Sequence, residues 1–595
     1  MMADTDAVVG RAKQEQRDDR AAAAAAADGS AAGAVAVAVD GAAATDELPL
    51  VTDDELQQCI AVLSRFHGAD GMEHFQRPRY KALRKTVMPL MSELRQKFFH
   101  GQSAEDNAQR QEKKRKLKIE RARQKALDQQ FINNTKLRAE RLARLAQLTA
   151  ENPLLAQVPD GASSSSVPGR LTEAGESEAA QPTEQETMQP ELHHHRACYT
   201  CKLKFKQLHH FYDRLCPSCA ALNWAKRLQT ADLRDHIAIV TGARVKIGYE
   251  IALKLLRAGA FVVATTRFPK DAAYRYAQEP DFADWQHRLQ VYGLDFRDLG
   301  VIDKFMDHVE TSFGRAEILI NNATQTIRRP THYYKHLLQA EVAPVPERFA
   351  SAQRLLQGNA ALLALENGHA ATERSDSAIV SSTRGQPAAA VPSSVLLSQV
   401  AVLPEDQETE ATAALFPEGQ TDNNKQQVDL RKKNTWVQKI DEVATMELVE
   451  VFAINTMAPF ILNKRAVPLL AKSPHARKFI INVSAMEGKF YRAKTPNHPH
   501  TNMAKAAVNM MTRTCAEDLA QQGIFMNSVD TGWINDENPR DAATRIATEH
   551  NFQTPLDEVD AAARVLDPIF ALHQADNQEP PVFGQFLKDY KISEW

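Results

Sequence analysis

Long apolar runs are absent from the sequence, and no window offers the roughly 18 consecutive apolar residues that a membrane-spanning helix needs. An excess of charge is also absent, since 72 lysines and arginines face 75 acids and leave a formal charge of −3. This balance gives no overall pull towards nucleic acid or an anionic membrane. Acids at Asp4, Asp6 and Asp18 precede any apolar run, so we expect neither a secretory signal nor a transit peptide, and a cytoplasmic protein.

Cysteines are few, and four of the six lie within 22 residues. A secreted disulfide framework would spread them more evenly, so the pattern favours a reducing compartment and a metal site. Cys198 and Cys201 form one CxxC pair, and Cys216 and Cys219 form another after fourteen residues. Four thiolates can close a tetrahedral Zn²⁺ site with no vacancy for water, which predicts a structural zinc in a zinc-ribbon-like module at 191–231. A redox-active or merely reduced cysteine group is the alternative.

Two segments lack large apolar residues and cannot offset the entropy of an ordered chain. Residues 1–46 are rich in Ala, Gly and Asp and are predicted to be disordered, and the Ser/Pro/Glu-rich residues 152–190 are predicted to form a disordered linker. A third polar segment, at about 366–430, is expected to be disordered surface.

The region 47–151 shows apolar residues at helical spacing and is predicted to be a helical arm, with a coiled coil as its expected form. Its stretch 110–125 holds nine lysines and arginines in sixteen residues. A solvated helix face explains this charge, and nucleic-acid binding is not expected because no aromatic residue is interleaved to stack on bases.

Apolar strand-like runs alternate with helical patterns through 232–595, which predicts a doubly wound parallel α/β sheet of the Rossmann type. An insertion at 331–440 interrupts the pattern, and its start at Thr331–Leu338 is a candidate lid over the cleft. The predicted strands are His236–Val240, Phe261–Thr265, Leu289–Leu294, Ile318–Ile320, Phe479–Val483 and Phe525–Val529.

A strand, a glycine-containing turn and a helix start follow one another at 236–248. Such a turn lets the backbone approach a pyrophosphate, and the helix N-terminus adds free N–H donors. The turn resembles the TGxxxGxG fingerprint of the short-chain dehydrogenase/reductase family, with Lys246 at the middle glycine. The resemblance implies that the turn binds the phosphates of a nicotinamide cofactor through Thr241, Gly242, Arg244, Lys246, Ile247 and Gly248.

Further motifs of that family occur in the same order along 232–595. The resemblance implies an acid beside the adenine, an Asn-Asn-Ala motif bordering the cofactor, a helix asparagine with a structural and proton-relay role, and a turn near the nicotinamide carboxamide. In that order, the positions are Asp295, Asn322 with Ala323, Asn455, and Thr531 with Gly532.

The second strand ends at Arg267 with no acid beside it. An acid there would accept from the ribose hydroxyls of NAD and repel a 2′-phosphate, whereas an arginine attracts one. NADP(H) is therefore predicted over NAD, and a surface arginine that closes a strand is the alternative.

Hydride transfer to or from a carbonyl needs a proton donor or acceptor beside the reacting oxygen. In the family this group is a tyrosine four residues before a lysine that also binds the nicotinamide ribose, and a serine polarises the substrate oxygen. Ser484 and Lys505 match the serine and the lysine, but Thr501 stands at the tyrosine position. A threonine hydroxyl is a poor acid near neutral pH, so three nearby residues are considered as substitutes: Tyr491, His498 and His500.

Two functions follow from these motifs. The first is an NADP(H)-dependent oxidoreductase for a small carbonyl or alcohol, in which Ser484 and Lys505 act with Asn455, and Thr501 or a neighbour moves the proton. The second is a catalytically inactive nucleotide-binding scaffold or regulatory protein that engages a protein partner through the zinc module. A homo-oligomer is also expected from the resemblance.

Overall fold

The computed structural model describes residues 51–97, 104–151, 191–373, 392–407, 409–422, 426–491, 494–535, 537–539, 543, 552–574 and 579–595. The predictions for 1–46 and 152–190 lie outside these residues. Two compact units make up the chain, Met1–Arg115 and Lys116–Trp595.

The helical prediction for 47–151 is confirmed for its described residues. Thr52 caps the first helix, and its hydroxyl accepts a hydrogen bond from the backbone N–H of Glu55. The side chains from 109 to 123 are all exposed, as expected of a solvated basic stretch. The helices are α1 (Asp53–Ser64), α2 (Gly68–Phe75), α3 (Lys81–Lys97), α4 (Ala104–Asn133) and α5 (Lys136–Glu151).

The cysteine-rich module consists of an antiparallel hairpin, β1 (Glu191–Ala197) and β2 (Lys204–Gln207), followed by helix α6 (Pro217–Leu228). Its apolar side chains do not form a separate core. Leu192, Phe205 and Tyr212 share one buried cluster with Leu137 of α5 and with Leu556 near the C-terminus. The sequence patterns gave no sign of this packing, because the residues involved lie hundreds of positions apart.

The predicted parallel sheet is confirmed. Eight strands lie in the order β10-β9-β8-β7-β6-β3-β4-β5, and all neighbours are parallel except β9 and β10. The strand order reverses between β3 and β6, which is where open α/β sheets form their ligand crevice. The strands are β3 (Ile237–Thr241), β4 (Phe261–Thr266), β5 (Leu289–Gly293), β6 (Ile318–Asn321), β7 (Lys478–Ser484), β8 (Ile524–Asp530), β9 (Phe586–Lys588) and β10 (Lys591–Ser593).

Helices cover both faces of the sheet because successive strand residues point to opposite sides. Ala238 and Val240 belong to a core cluster with α7 (Lys246–Arg257) and α18 (Glu558–Phe570), whereas Ile239 belongs to the opposite cluster with α10 (Gly300–Phe313) and α16 (Ala458–Ala471). The other helices are α8 (Pro269–Tyr276), α9 (Phe282–Trp285), α11 (Lys335–Val342), α12 (Gln357–Glu373), α13 (Ser393–Leu397), α14 (Glu410–Ala413), α15 (Thr445–Phe452) and α17 (Pro499–Gln521).

Among the described residues, one helical run, Thr445–Ala471, is long and apolar enough to cross a membrane by length and composition. In the structure it buries Leu462, Ala466 and Leu469 in the core cluster on one face of the sheet. Packing against the sheet therefore accounts for its apolar character.

The insertion at 331–440 packs against the β5 edge of the sheet. The amide oxygen of Asn359 accepts from the backbone N–H of Gly293 at 2.8 Å, and Leu355 joins the core. Within the polar segment 366–430, the described residues include the buried Asp406, which forms an ion pair with the buried Arg328 at 2.6 Å. The expectation of disordered surface is wrong for these residues, since a buried carboxylate paired with arginine looks polar in composition but lies inside the fold.

Candidate functional site

A cavity of about 1320 Å³ opens at the carboxyl ends of the parallel strands. It is lined by the turns after β3, β4, β6 and β8, by the N-terminal part of α17, and by Tyr333 and Tyr334 of the insertion. The cavity lies at the topological switch point, as the fold predicts for a ligand site.

The turn after β3 has the backbone that its fingerprint predicts. Gly242 has a φ of +68°, and a Cβ there would lie 2.9 Å from the Cα of Ala323. A Cβ on Gly248 would lie 2.3 Å from the carbonyl oxygen of Gly242, so α7 packs directly on the turn. Lys246 keeps a left-handed φ of 55° at the position where the family has its middle glycine. A left-handed lysine carries a conformational cost of about 1 kcal/mol or more that a glycine at this position would not.

Hydrogen bonds fasten this turn to the end of β6. The Thr241 hydroxyl accepts from the backbone N–H groups of Asn322 and Ala323, both at 3.0 Å. The amide nitrogen of Asn322 donates back to the carbonyl of Thr241 at 3.0 Å. Thr241 itself is buried behind the turn and supports the site from outside the cavity wall.

A buried amide network locks the strand ends in register. The amide nitrogen of Asn321 donates to the side-chain oxygens of Asn463 and Asn482, at 2.7 and 2.8 Å. Asn482 in turn donates to Thr512, whose hydroxyl pairs with Ser528 at 2.8 Å. The network joins β6, β7 and β8 to two helices, so it gives the cavity floor a fixed shape.

Arg267 follows β4 directly and forms no ion pair with a carboxylate among the described residues. It donates to the hydroxyl of Tyr334 at 2.8 Å, and its guanidinium lies 4.5 Å from the centre of that ring. Burial opposes its charge, yet Tyr334 and Asp295 hold the pKa of Arg267 above its ordinary value. By contrast, Arg244 pairs with Asp271 at 2.7 Å, and Asp295 is held by Arg297 at 2.6 Å.

Ser484 and Lys505 meet at the end of β7. The Lys505 ammonium donates to the carbonyl of Val483, the residue before Ser484, at 2.8 Å. The Ser484 hydroxyl donates to the amide oxygen of Asn509 at 2.7 Å, and Asn509 is anchored by the carbonyl of Gly488 at 3.2 Å. Burial lowers the pKa of Lys505 to about 8, with Glu487 opposing the shift. The lone pairs of Ser484 remain available, whereas donation to a carbonyl substrate requires its hydroxyl to turn away from Asn509.

Asn455 lies in a π-helical turn, Ala453–Met457, that precedes α16. Its side chain accepts from the backbone N–H of Gln325 at 2.7 Å and donates to the carbonyl of the same residue at 3.1 Å. Gln325 lines the cavity, so Asn455 positions that segment from behind. Such turns occur often at functional sites.

Thr501 and His500 are buried, and neither is among the described residues that line the cavity. The Thr501 hydroxyl and both ring nitrogens of His500 have no hydrogen-bond partner among the described residues. The position of the family tyrosine therefore carries a hydroxyl that faces the interior of the domain.

His498, which lines the cavity as Lys505 does, immediately precedes α17 as its N-cap residue. Its Nδ1 lies 3.0 Å from the carbonyl of Asn497, which can only accept, so Nδ1 carries a proton and Nε2 is left as an acceptor. That Nε2 is buried and has no partner among the described residues. Burial, assisted by His500 and Lys494, lowers the pKa of His498 to about 4.

His498 has a left-handed backbone conformation that contacts with the insertion hold in place. Its φ of 42° is left-handed, a conformation in which a side chain other than glycine is strained. The insertion holds it there, because its N–H donates to the carbonyl of Gln438 at 2.7 Å and its ring packs edge-on against Trp436, 3.9 Å away. Strain of this kind is often found at functional positions.

The four clustered cysteines converge as predicted. Their sulfurs all lie within 4.8 Å of one another, and the sulfurs of Cys201 and Cys216 are 3.6 Å apart. Bonds of about 2.3 Å to a tetrahedral Zn²⁺ place sulfurs about 3.8 Å apart, so the arrangement fits such an ion. The backbone N–H of Cys216 donates to the sulfur of Cys198 at 3.3 Å, which is the kind of support that stabilises a thiolate ligand.

Most of the site residues predicted from the sequence meet at one cavity. Ser484 lines it, but Thr241, Asn455 and Thr501 do not. Tyr199 and Lys202, which were not predicted from the sequence, also line the cavity. Tyr199 lies between Cys198 and Cys201, and Lys202 directly follows Cys201. The predicted cofactor residues that line the cavity are Gly242, Arg244, Lys246, Ile247, Gly248, Arg267, Asp295, Asn322, Ala323, Lys505, Thr531 and Gly532.

Two family models match the sheet-forming part of the chain. The model described as short chain dehydrogenase matches residues 236–341, and the model described as enoyl-(acyl carrier protein) reductase matches residues 432–574. The two matches flank the middle of the insertion and include the nucleotide turn, Ser484 and Lys505.

Individual proteins show the same likeness. An uncharacterized protein of Acanthamoeba polyphaga mimivirus is 31% identical over 393 residues, which cover 63% of this chain and 71% of that protein. A (+)-neomenthol dehydrogenase of Capsicum annuum is 40% identical over 89 residues, 14% of this chain and 28% of its own length. Among solved structures, the NADPH-bound carbonyl reductase from chicken fatty liver is 18% identical with a TM-score of 0.35, covering 61% of this chain and 100% of that one.

Proposed function

Because the chain belongs to the short-chain dehydrogenase/reductase family of oxidoreductases, we propose that it binds NADP(H) and interconverts a small-molecule carbonyl compound and its alcohol. The observation that carries this proposal is the meeting of Lys505 and Ser484 in the same cavity as the glycine turn. When bound, the cofactor supplies or accepts the hydride.

The described residues fit a phosphorylated dinucleotide. The first backbone N–H groups of α7 have no partner within the helix and lie at the cavity wall, where they suit a pyrophosphate. Arg267 offers a cation that no described carboxylate neutralises through an ion pair, which suits a 2′-phosphate. The cavity of about 1320 Å³ exceeds the roughly 300–1,000 Å³ of ordinary ligand pockets, so a dinucleotide and a substrate can share it.

Replacing Arg267 with alanine is expected to weaken NADPH binding about 10- to 100-fold and to leave NADH binding nearly unchanged, because hydrogen bonds to a charged group contribute about 1.5–3 kcal/mol. Fluorescence titration with both cofactors measures this difference. Arg257→Ala provides the control, since Arg257 pairs with Asp281 on an exposed part of α7. Equal losses for NADPH and NADH in Arg267→Ala would contradict the assignment of the 2′-phosphate.

We further propose that His498 takes the place of the missing tyrosine in proton transfer. Its ring lines the cavity, and its Nε2 is buried without a partner among the described residues, so a rotation of the ring that exposes Nε2 would let it accept the hydroxyl proton of an alcohol as the C–H hydride leaves. In the reverse direction the imidazolium returns that proton to the carbonyl oxygen. Lys505 also lines the cavity, where its ammonium donates to the carbonyl of the residue before Ser484.

His498→Gln is expected to lower kcat for alcohol oxidation by about 10²–10⁴ while NADP⁺ affinity changes little, since positioned proton transfer contributes that much to rate. In the parent protein, kcat/KM for oxidation should rise with pH through about 4 and then level off, because burial lowers the pKa of His498 and the ring is an acceptor only above that pH. Stopped-flow measurement of NADPH formation checks both results.

Two further variants show which residue carries the proton. His500→Gln should retain nearly full activity, because this ring does not line the cavity among the described residues. If Thr501→Val instead abolishes turnover and His498→Gln does not, the threonine moves the proton and the role of His498 is wrong.

The zinc-ribbon-like module is proposed to hold one structural Zn²⁺ through Cys198, Cys201, Cys216 and Cys219. Four thiolates fill a tetrahedral shell, so the ion would stabilise the module and leave no position for substrate.

A panel of aldehydes, ketones and enones with NADPH, and of alcohols with NADP⁺, tests the proposed function as a whole. Turnover that depends on Lys505 supports an oxidoreductase. Tight NADPH binding without turnover of any compound would favour the second candidate, a nucleotide-binding scaffold, for which the buried Thr501 at the tyrosine position is the supporting observation.

A further inference from the structure

The zinc-ribbon-like module forms part of the cavity wall. Tyr199, between the first two cysteines, lies beside the turn that follows β8, and its hydroxyl oxygen accepts from the backbone N–H of Trp533 at 3.0 Å. The Tyr199 hydroxyl also lies close to Gly532, since a Cβ added to that glycine would be 3.7 Å from the hydroxyl oxygen. Tyr199, Gly532 and Trp533 all line the cavity. The turn near which the family binds the nicotinamide carboxamide therefore rests on a residue that the module supplies.

Arg141 of α5 holds the same region from another side. Its guanidinium donates to the carbonyl oxygens of Thr554 and Leu556, at 2.5 and 2.6 Å, and to that of Ile534 at 3.4 Å. The Thr554 hydroxyl also donates to the carbonyl of Ile534, at 2.8 Å. One arginine thus ties the residues just after the turn to those that lead into α18.

The arm that carries Arg141 is fastened to the module. The carboxylate of Asp128 on α4 accepts from the backbone N–H groups of His193 and His194, at 2.7 and 3.0 Å. Burial raises the pKa of Asp128, but these bonds and those of the two rings outweigh it and lower the pKa to about 2. Ile534 and Leu556 also pack in the buried cluster that the module shares with α5. The part of the arm that follows Arg115, the module and the turn therefore form one connected support within the second unit.

We infer that Tyr199 and Arg141 are positioning residues for the nicotinamide cofactor. They hold Thr531–Ile534 in the conformation that completes the cavity, so the zinc-ribbon-like module and α5 act in cofactor binding through this turn. The inference rests on the proposed function, because it presupposes that the cavity binds NADP(H). Neither residue reaches the reacting atoms in this role, so their loss should alter cofactor affinity far more than the chemical step.

Tyr199→Phe in the full-length zinc-loaded protein is the direct test, because it removes only the hydroxyl that accepts from Trp533. Tyr212→Phe is the matched control, since Tyr212 donates to Asp560 at 2.6 Å and so loses one hydrogen bond between the same module and α18, away from the turn. We expect Tyr199→Phe to raise the Kd and KM for NADPH about three- to tenfold with kcat within twofold, and Tyr212→Phe to leave the cofactor constants unchanged.

Amide hydrogen exchange supplies a readout that does not depend on turnover. Exchange at Gly532 and Trp533 should accelerate in Tyr199→Phe and stay at the parental rate in Tyr212→Phe, even if both variants melt at a similarly lowered temperature. Arg141→Gln is expected to produce the same cofactor effect from the other side of the turn, with accelerated exchange at Thr531–Ile534.

The outcomes separate this inference from the proposed function. If the parent protein has no affinity for NADPH, the proposed function fails and the inference fails with it. If the parent protein binds NADPH and the two tyrosine variants bind it equally well, only the positioning role is overturned. Equal loss of affinity in Tyr199→Phe and Tyr212→Phe would also overturn it, because that result reports general loosening of the module.

Discussion

Lys505→Met is expected to lower kcat/KM about a thousandfold and to weaken NADPH binding at least tenfold. The ammonium of Lys505 donates to the carbonyl of Val483, which places positive charge immediately beside Ser484 at the cavity wall. A preorganised charge at such a position stabilises both a bound anionic or polar ligand and the charge that develops during reaction. Steady-state kinetics with an alcohol or carbonyl substrate, together with a fluorescence titration, would measure the two losses separately.

The pH dependence of cofactor binding gives an independent check on the same residue. Burial lowers the pKa of Lys505 to about 8, so the ammonium is charged below that pH and neutral above it. If binding favours the charged form, the affinity for NADPH should be full below pH 8 and fall as the pH rises through it. Lys505→Arg should remove this dependence, since a guanidinium stays protonated throughout the range.

A second buried lysine controls for the loss of any buried cation. Lys478 begins β7 at the opposite end of the sheet, where its ammonium donates to the carbonyl of Gln522 at 2.9 Å. Lys478→Met should lower the melting temperature with kcat/KM unchanged. Parental turnover in Lys505→Met would refute the catalytic assignment, and equal activity losses in the two variants would show that Lys505 acts only through stability.

The sheet could be predicted from the sequence because each strand is a local pattern of buried apolar residues between turn signals. Phe261–Thr265 was expected as the second strand, and β4 spans Phe261–Thr266. The predicted strand Phe479–Val483 corresponds to β7, which spans Lys478–Ser484 and is one residue longer at each end. Strand ends are less well defined, because the last ladder bonds depend on neighbouring strands.

The packing of α5 and the zinc-ribbon-like module against the residues before α18, all within the second unit, could not be predicted in the same way. Arg141 bonds to Leu556 across more than 400 positions, and neither residue belongs to a motif that indicates the other. The burial of Arg328 and Asp406 could not be predicted either. Charged residues usually lie at the surface, and these two are buried because they pair with each other. Single-sequence patterns report local periodicity, whereas these contacts depend on tertiary structure.

The residues of the candidate site also fall into those that a sequence motif predicts and those whose environment depends on tertiary contacts. Lys505 and Ser484 were each recognised by their resemblance to a family position, and both line the cavity. The sequence could not show that His498 lines the cavity and His500 does not. This difference depends on the left-handed backbone of His498, which is held by contacts with Gln438 and Trp436 of the insertion. Two residues that are almost adjacent in the chain thereby face different environments, one at the cavity and one in the interior.

Replacing Cys198 and Cys216 together with serine is expected to remove one bound zinc per chain and to unfold the zinc-ribbon-like module. Both thiols are ligands in the predicted set, and a short hairpin with one helix has little core of its own. Structural zinc contributes about 10–16 kcal/mol of folding free energy in small zinc-binding peptides, so its loss should unfold such a module as a whole. Since Tyr199 lies between two ligands, NADPH affinity should fall at least tenfold as well.

The other two cysteines provide the matched control. Cys59 and Cys515 lie outside the cluster, so their double serine variant should retain one zinc per chain and full NADPH affinity, with a slightly lowered melting temperature because Cys515 packs against the core. Plasma emission spectrometry on the purified proteins measures the metal. Retention of one zinc per chain after loss of Cys198 and Cys216 would refute the four-thiolate assignment. Metal-free parental protein whose cluster forms disulfides reversibly would instead establish the redox alternative, since the same four sulfurs are close enough to exchange.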